Sequence, residues 1–287
     1  MKPLNQYIGD VSFQLREKHN FDWIKEYGTV FKVFDQQDSG NLCFGIIQNG
    51  QKRFLKYAGA KTIHYEGEPE QAVQRLKQAA SIYKRLQHES LITFKADVEL
   101  GEGYALIFEW VEGECLHSHW TFPPPEKYTH PDSPYYRFKQ LPITQRLGAM
   151  RNILSFHQYV EEQHVVAIDF YDGSILYDFK TDQLFICDID FYHSKPYINE
   201  MGRMWGSNRF MSPEEFELGA SIDERTNVYN MGAIAFSLLG GELDRSYEKW
   251  EAGEALYKVM IKAVENDPRL RFASVTELLE AWDQSIS

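Results

Sequence analysis

Four ionisable side chains stand where an ionised group is costly. Lys56 interrupts the apolar run Phe54-Leu55-Lys56-Tyr57, while Asp169 ends VVAID and Asp188 and Asp190 end LFICDID. A charge carried to the edge of a core costs on the order of several kcal/mol unless it is paired or metal-bound. Carboxylates gathered at neighbouring strand ends suit a hard divalent cation, and Mg²⁺ brought in with a nucleotide is the natural candidate. A structural carboxylate network is the alternative reading of the same residues, and a lone strand lysine is ordinarily exposed.

Other chemistries are poorly supplied. Cys43, Cys115 and Cys187 form neither a CxxC pair nor a disulfide framework, the nine histidines offer no HxxxH spacing, and each cysteine reads as a small hydrophobe in a reducing compartment. His157 and His164 flank a helix end with no nucleophile motif beside them and read as surface or capping groups. The 287 residues carry 25% charged and 43% hydrophobic side chains, the balance of a globular protein rather than a collagen-like, disordered or membrane-embedded one. Thirty basic against 42 acidic residues give a net charge of −12, a poor prior for a nucleic-acid or anionic-membrane binder. The first residues lack the apolar centre of a signal peptide and no apolar run is long enough to span a bilayer, so a cytoplasmic location is expected.

The elements that would position these residues follow from periodicity. Residues 1–27 read as a polar segment with a short helix at FDWIKEYG. From Thr29, TVFKVF, LCFGIIQ and KRFLKY are β-branched and aromatic runs separated by DQQDSGN and by Asn49-Gly50, which predicts three antiparallel strands. PEQAVQRLKQAASIYKRLQ has helical spacing with proline in its first turn, and LITFKADVELGEGYALIFEWV alternates as two further strands about Gly101 to Gly103. Residues 29–111 thus read βββαββ. Residues 117–142 hold Trp120, five of the prolines between Pro123 and Pro134, and Tyr135-Tyr136, a long irregular insertion of the sort that often binds partners. A helix from Ile143, short strands at VVAIDF and QLFICDIDF, and a helical remainder follow, in which VYNMGAIAFSLLGG is apolar nearly all round and therefore buried. A small β-rich lobe followed by a larger helical one suggests a ligand cleft at the boundary.

Taken together, these motifs resemble the protein kinase family over nearly the whole chain. FLKYAGA resembles the strand bearing the family's lysine, VAIDFYDGSIL the catalytic loop HRDLxxxN, FICDID the DFG metal site, and GSNRFMSPEEF the close of an activation segment on APE. IDERTNVYNMGAIAFSLLGG resembles the buried DVWSLG helix, and NDPRLRFASVTELL the closing DPxxRPS motif. The resemblance implies an α+β, two-lobed protein kinase-like fold: an N-terminal segment at 1–28, a small antiparallel-sheet lobe at 29–112, and a mainly helical lobe at 113–287 carrying the insertion at 117–142.

The same resemblance assigns roles. Lys56 would bind the α- and β-phosphates of ATP, Asp169 would accept or orient the proton of the attacking hydroxyl, and Asp188 would hold Mg²⁺. Backbone groups of Glu109 and Val111 would meet the adenine, with Phe108 guarding the back pocket and Glu114 near the ribose. Glu214 and Arg271 would form the family's buried ion pair. Ser207 falls where Ser/Thr kinases carry a threonine reaching the catalytic Asp.

Departures are as informative. Gly40 is the one glycine left in the phosphate-covering loop before Gly45. Ala167-Ile168 replace His-Arg, which removes the usual receptor for a phosphorylated activation loop. Tyr171 replaces the catalytic-loop lysine, and Ser174 replaces the Asn metal ligand while keeping an oxygen. Asp172 and Asp190 are extra carboxylates able to compensate, Ala79 sits where the partner of Lys56 is expected, and Asn227 stands for the buried Asp of DVWSLG. Three functions follow: an ATP- and Mg²⁺-dependent Ser/Thr-type phosphotransferase acting on a hydroxyl acceptor; a pseudokinase that serves as a binding module through the insertion; and a small-molecule kinase, whose metal site the D-x-D ending resembles.

Overall fold

A computed structural model describes residues 3–117 and 119–286. The chain divides into two compact units, residues 1–87 with 92–111, and residues 88–91 with 112–287.

The first unit opens with two strands, β1 (Leu4–Ile8) and β2 (Val11–Leu15), joined at Gly9-Asp10 as an antiparallel hairpin. The polar composition of this segment predicts no such pairing. Val11, Phe13 and Leu15 alternate with polar residues, and Phe13 and Leu15 are buried in one core with Phe21, Ile24, Phe44, Leu55 and Tyr57. The segment before Thr29 thus belongs to the first unit's core. The helix expected at FDWIKEYG is a single 3-10 turn, Asp22–Glu26.

The three expected strands are β3 (Thr29–Phe34), β4 (Asn41–Gln48) and β5 (Gln51–Ala58), followed by α1 (Pro69–Arg85), β6 (Phe94–Leu100) and β7 (Gly103–Glu109). They form one antiparallel sheet in the order β3-β4-β5-β7-β6. Asn49 and Gly50 both take positive φ, 52° and 76°, which matches the strand twist in a two-residue hairpin. Along β5 the two-residue period sends Leu55 and Tyr57 into the core shared with the hairpin, and Phe54 and Lys56 to the opposite face. α1 covers that second face through Tyr83, whose ring meets Phe108 at 4.8 Å.

The second unit contains β8 (Glu114–Cys115), α2 (Glu126–Thr129), α3 (Pro134–Lys139), α4 (Ile143–Glu162), β9 (Val165–Val166), β10 (Ile175–Asp178), β11 (Gln183–Ile186), β12 (His193–Ser194), β13 (Tyr197–Ile198), β14 (Ser221–Ile222), α5 (Glu224–Leu239), α6 (Glu254–Ala263) and α7 (Val275–Ile286). The insertion is therefore not irregular throughout: two short helices occupy it, and Ser133 caps the second by accepting from the Tyr136 N–H. α5 is buried on every side and packs against α4, α6 and α7, as an all-round apolar helix must. Its start is fixed by Asp223, which accepts from the Arg225 N–H, while Thr226 accepts from the Asp223 N–H. No described helix is long and apolar enough to cross a membrane.

The hairpin supplies a test of this architecture. Leu15 is fully buried, so Leu15→Ala is expected to cost about 2–5 kcal/mol in urea or guanidinium unfolding. A loss below about 1 kcal/mol would detach the hairpin from the first unit's core.

Candidate active site

In the first unit, Lys56 is 4% exposed, so it is buried and not the solvent-facing strand lysine that β-sheet habit favours. Its face of the sheet is aromatic. Phe54 lies between Phe34 and Phe108 at centroid distances of 6.0 and 6.2 Å. Phe31 and Trp110 meet edge-on at 5.0 Å over Gly45, where a Cβ would come within 2.6 Å of the Phe31 ring. Gly45 is a glycine for that reason. Gly40 has φ 79° and packs under Tyr65, where a Cβ would sit 2.7 Å from the ring. Its glycine identity is thus accounted for within the unit. Glu109 donates its N–H to the Thr93 carbonyl at 2.9 Å and pairs its side chain with Lys95; Val111 ends the unit. Ala79 is buried on α1.

In the second unit the residues around Asp169 are held from both sides. Upstream, β9 pairs with β12, and the Ala167 N–H donates to Asn227 Oδ1 at 2.8 Å. Asp169 itself has φ 61°, the left-handed region, a strain of about 1–3 kcal/mol that the surroundings must impose. Phe170 is buried against His157, with ring centroids 4.4 Å apart. Downstream, a 3-10 turn at Asp172–Ser174 leads into β10; the Ser174 N–H donates to the Tyr171 carbonyl and the Cys187 N–H to the Ser174 carbonyl, both at 2.9 Å. The latter bond ties the turn to the residue before Asp188. Gly206 approaches from the chain beyond: a Cβ there would meet the Met211 side chain at 3.1 Å and lie 3.7 Å from the Asp169 Cα.

Tyr171 is folded over Gly173, where any Cβ would collide with its ring. Burial raises the Tyr171 pKa well above the ordinary phenol value, and the carboxylates of Asp169 and Asp188 raise it further. Its hydroxyl therefore stays protonated beside two anions. Asp188 Oδ1 accepts from the Asp190 N–H at 3.3 Å. The Ser174 Oγ is buried and has no hydrogen-bond partner. No three His, Cys, Asp or Glu side chains gather as a metal-binding group among the described residues. Asp188, Asp190 and Ser174 would offer two carboxylates and a hydroxyl. Such a set suits a cation that keeps waters and phosphate oxygens, which is the habit of Mg²⁺.

Asp172 does not serve as an extra metal carboxylate. It is fully buried and turned to Lys127, with Nζ to Oδ2 at 2.5 Å, and to Arg209, whose Nη2 reaches Oδ1 at 2.9 Å. Glu242 closes the group, 3.2 Å from Lys127 and 2.9 Å from Arg209. Burial alone would raise the Asp172 pKa, but Lys127 and Arg209 more than offset it and the net direction is down. His117 Nδ1 lies 3.9 Å from the same carboxylate, and burial pushes its pKa down to about 4, so it is neutral near pH 7. Arg209 Nε also donates to Ser207 Oγ at 3.2 Å. Nothing local in the sequence announced Lys127 or Arg209, because their partner lies 45 and 37 residues away.

His157 overturns its reading as a surface or capping group. It is fully buried, with Nδ1 2.8 Å from the Ile153 carbonyl and Nε2 2.7 Å from Tyr192 Oη. A carbonyl only accepts, so Nδ1 carries the proton and Nε2 accepts from Tyr192. Burial lowers its pKa to about 3, which keeps it in that neutral form. Glu114 is engaged by Arg137, whose Nη1 reaches both its oxygens at 2.9 and 2.7 Å. Glu214 and Arg271 form a two-pronged pair at 2.6 and 3.0 Å, and Thr226 donates to Glu214 at 2.9 Å.

Asn227 explains itself through Glu161. Its Oδ1 accepts from Ala167, and its Nδ2 donates to Glu161 Oε1 at 3.2 Å, while the Val275 N–H donates to Glu161 Oε2 at 2.9 Å. Burial pushes Glu161 up to about 8 from 4.5. A carboxyl whose folded pKa is raised stabilises fully below its unfolded pKa, and that contribution is lost as pH climbs through about 8. An Asp at 227 would share one proton with Glu161 at low pH and repel it at high pH. Asn227→Asp is therefore expected to cost about 2–4 kcal/mol at pH 9 and far less at pH 6. The exchange Asn227→Asp with Glu161→Gln restores donor and acceptor and should recover most of the loss; thermal unfolding across that pH range checks both.

Comparison with known proteins accords with this geometry. A family model described as the protein kinase domain matches residues 27–280. The chain is 23% identical over 221 residues to the serine/threonine-protein kinase pkn2 of Myxococcus xanthus, an alignment covering 74% of this chain and 24% of the relative, so the chain spans about a quarter of that protein's length. With the sheet, the α5 hub and the Glu214–Arg271 pair in the order that the motifs predict, the chain belongs to the protein kinase family.

Proposed function

We propose that this kinase domain is an ATP- and Mg²⁺-dependent phosphotransferase of the Ser/Thr type, moving the γ-phosphoryl group of ATP to a hydroxyl acceptor. The reading rests first on the strained Asp169, held between two anchored points, with Asp188 sharing Tyr171 as a neighbour and Ser174 Oγ buried without a partner. Asp169 would orient and take the proton of the attacking hydroxyl. Asp188, with Ser174 and Asp190 beside it, would hold Mg²⁺, which when bound draws charge from the phosphate oxygens. Lys56 would neutralise the α- and β-phosphates, and its aromatic face offers a flat apolar surface for a base, with backbone groups of Glu109 and Val111 for its edge. Tyr171 cannot supply the positive charge of a lysine. Its protonated hydroxyl would donate to the phosphoryl group, a weaker stabilisation than an ammonium gives.

A second reading, a kinase-fold binding module with little or no transfer, draws on Phe31 and Trp110, which cover the sheet at Gly45 where a base would need room.

Purified protein incubated with γ-labelled ATP and Mg²⁺ is expected to label itself or a generic hydroxyl acceptor. Asp169→Ala should lower the rate by about 10²–10⁴-fold, and Ser174→Ala should raise the Mg²⁺ concentration needed for half-maximal rate. If neither Mg²⁺ nor Mn²⁺ supports transfer and ATP leaves the melting temperature unmoved, the binding-module reading stands instead.

A further inference from the structure

The insertion expected to greet a partner sends its most buried charge inward. Lys127, on α2, is 1% exposed and turns into the interior of its unit to meet Asp172, three residues after Asp169. Its ammonium sits over the Tyr135 ring at 4.1 Å and the Tyr128 ring at 4.8 Å, so aromatic faces replace the water it has lost. Tyr135 in turn donates to the Ser237 carbonyl on α5 at 2.7 Å, and Ser133 Oγ to the Lys127 carbonyl at 2.7 Å. Both the ammonium and the backbone of the lysine are thus held. On the other side Arg209, two residues beyond Ser207, forks onto the same carboxylate.

The cluster is charge-balanced, two cations against Asp172 and Glu242. We infer that Lys127 is a positioning residue for Asp169: through Asp172 it clamps the downstream side of the catalytic-loop turn, as Asn227 clamps the upstream side, and so keeps the strained Asp169 aimed. The insertion thereby acts as an intramolecular strut that fixes the loop from which the family's usual lysine is missing. For its kinetic consequence this rests on the phosphotransferase reading; the clamp itself does not.

Lys127→Met, Asp172→Asn and the double variant of the full chain separate the possibilities. Each single change leaves one buried charge unbalanced and should lower the melting temperature. The double change restores neutrality and leaves the Arg209–Glu242 pair, so its melting temperature is expected within about 2 °C of the parent. Its kcat should nevertheless stay at least about tenfold down with the ATP KM moved less than about twofold, because Asp169 has lost its aim rather than its nucleotide. Backbone amides over residues 167–175 should exchange with deuterium faster while those of α5 do not change. The inference is overturned if kcat returns together with the melting temperature, or if loop exchange in the double variant equals the parent's. Should the parent transfer no phosphate, the phosphotransferase reading fails and the exchange measurement alone decides the clamp. If the double variant does not fold, Lys127→Met decides: exchange accelerated in the loop alone supports the clamp, and uniform acceleration through the second unit overturns it.

Discussion

The second unit is organised by the need to satisfy polar side chains on a helix that has no solvent-facing side. α5 is buried all round, yet it carries Thr226, Asn227, Asn230 and Ser237. Each unpaired polar group there would cost about 1–3 kcal/mol, so each must find a partner at a fixed place. Thr226 donates to Glu214, Asn227 accepts from Ala167, Asn230 donates to the Phe210 carbonyl and Glu215, and Ser237 Oγ lies 3.2 Å from Tyr135 Oη, which also donates to the Ser237 carbonyl. These partners lie on the turn that closes the activation segment, the catalytic loop and the insertion. One buried helix thus anchors three separate segments of the chain through its polar groups.

The replacement of Asp by Asn at 227 follows from that constraint. Glu161 sits against the same side chain and is itself buried, so a second carboxylate would leave two like charges in contact. Asn keeps the acceptor needed by Ala167 and gains a donor for Glu161. The departure from DVWSLG is a matched exchange, and it leaves the anchoring of the catalytic loop intact.

Strands and long helices were legible because their signal is local. TVFKVF, LCFGIIQ and KRFLKY become β3 to β5 nearly residue for residue, and the helix from Pro69 and the buried helix after Asp223 stand where periodicity puts them. The first hairpin was not legible although Val11, Phe13 and Leu15 alternate, because the facing strand is short and its exposed Leu4, Asn5 and Tyr7 dilute the pattern. The positions of Lys56, Asp169 and Asp188 were legible as charges at the edges of apolar runs. His157, Lys127 and Arg209 were not, since a buried polar group is recognised by its partner and theirs are remote in sequence.

The distribution of charge around Asp169 bears on what chemistry the loop can support. Where the family places a lysine, this chain has Tyr171, held neutral by burial and by the two carboxylates beside it. Two cations lie nearby instead, on Lys127 and Arg209, but each is engaged by Asp172 and Glu242. The positive charge close to this loop is thus held in ion pairs with Asp172 and Glu242 rather than at position 171. On the proposed phosphotransferase reading, a cation in the support would steady the geometry of Asp169 without neutralising a phosphoryl group, so transfer would depend more heavily on Lys56 and on Mg²⁺ held by Asp188 than it does where the loop lysine is present.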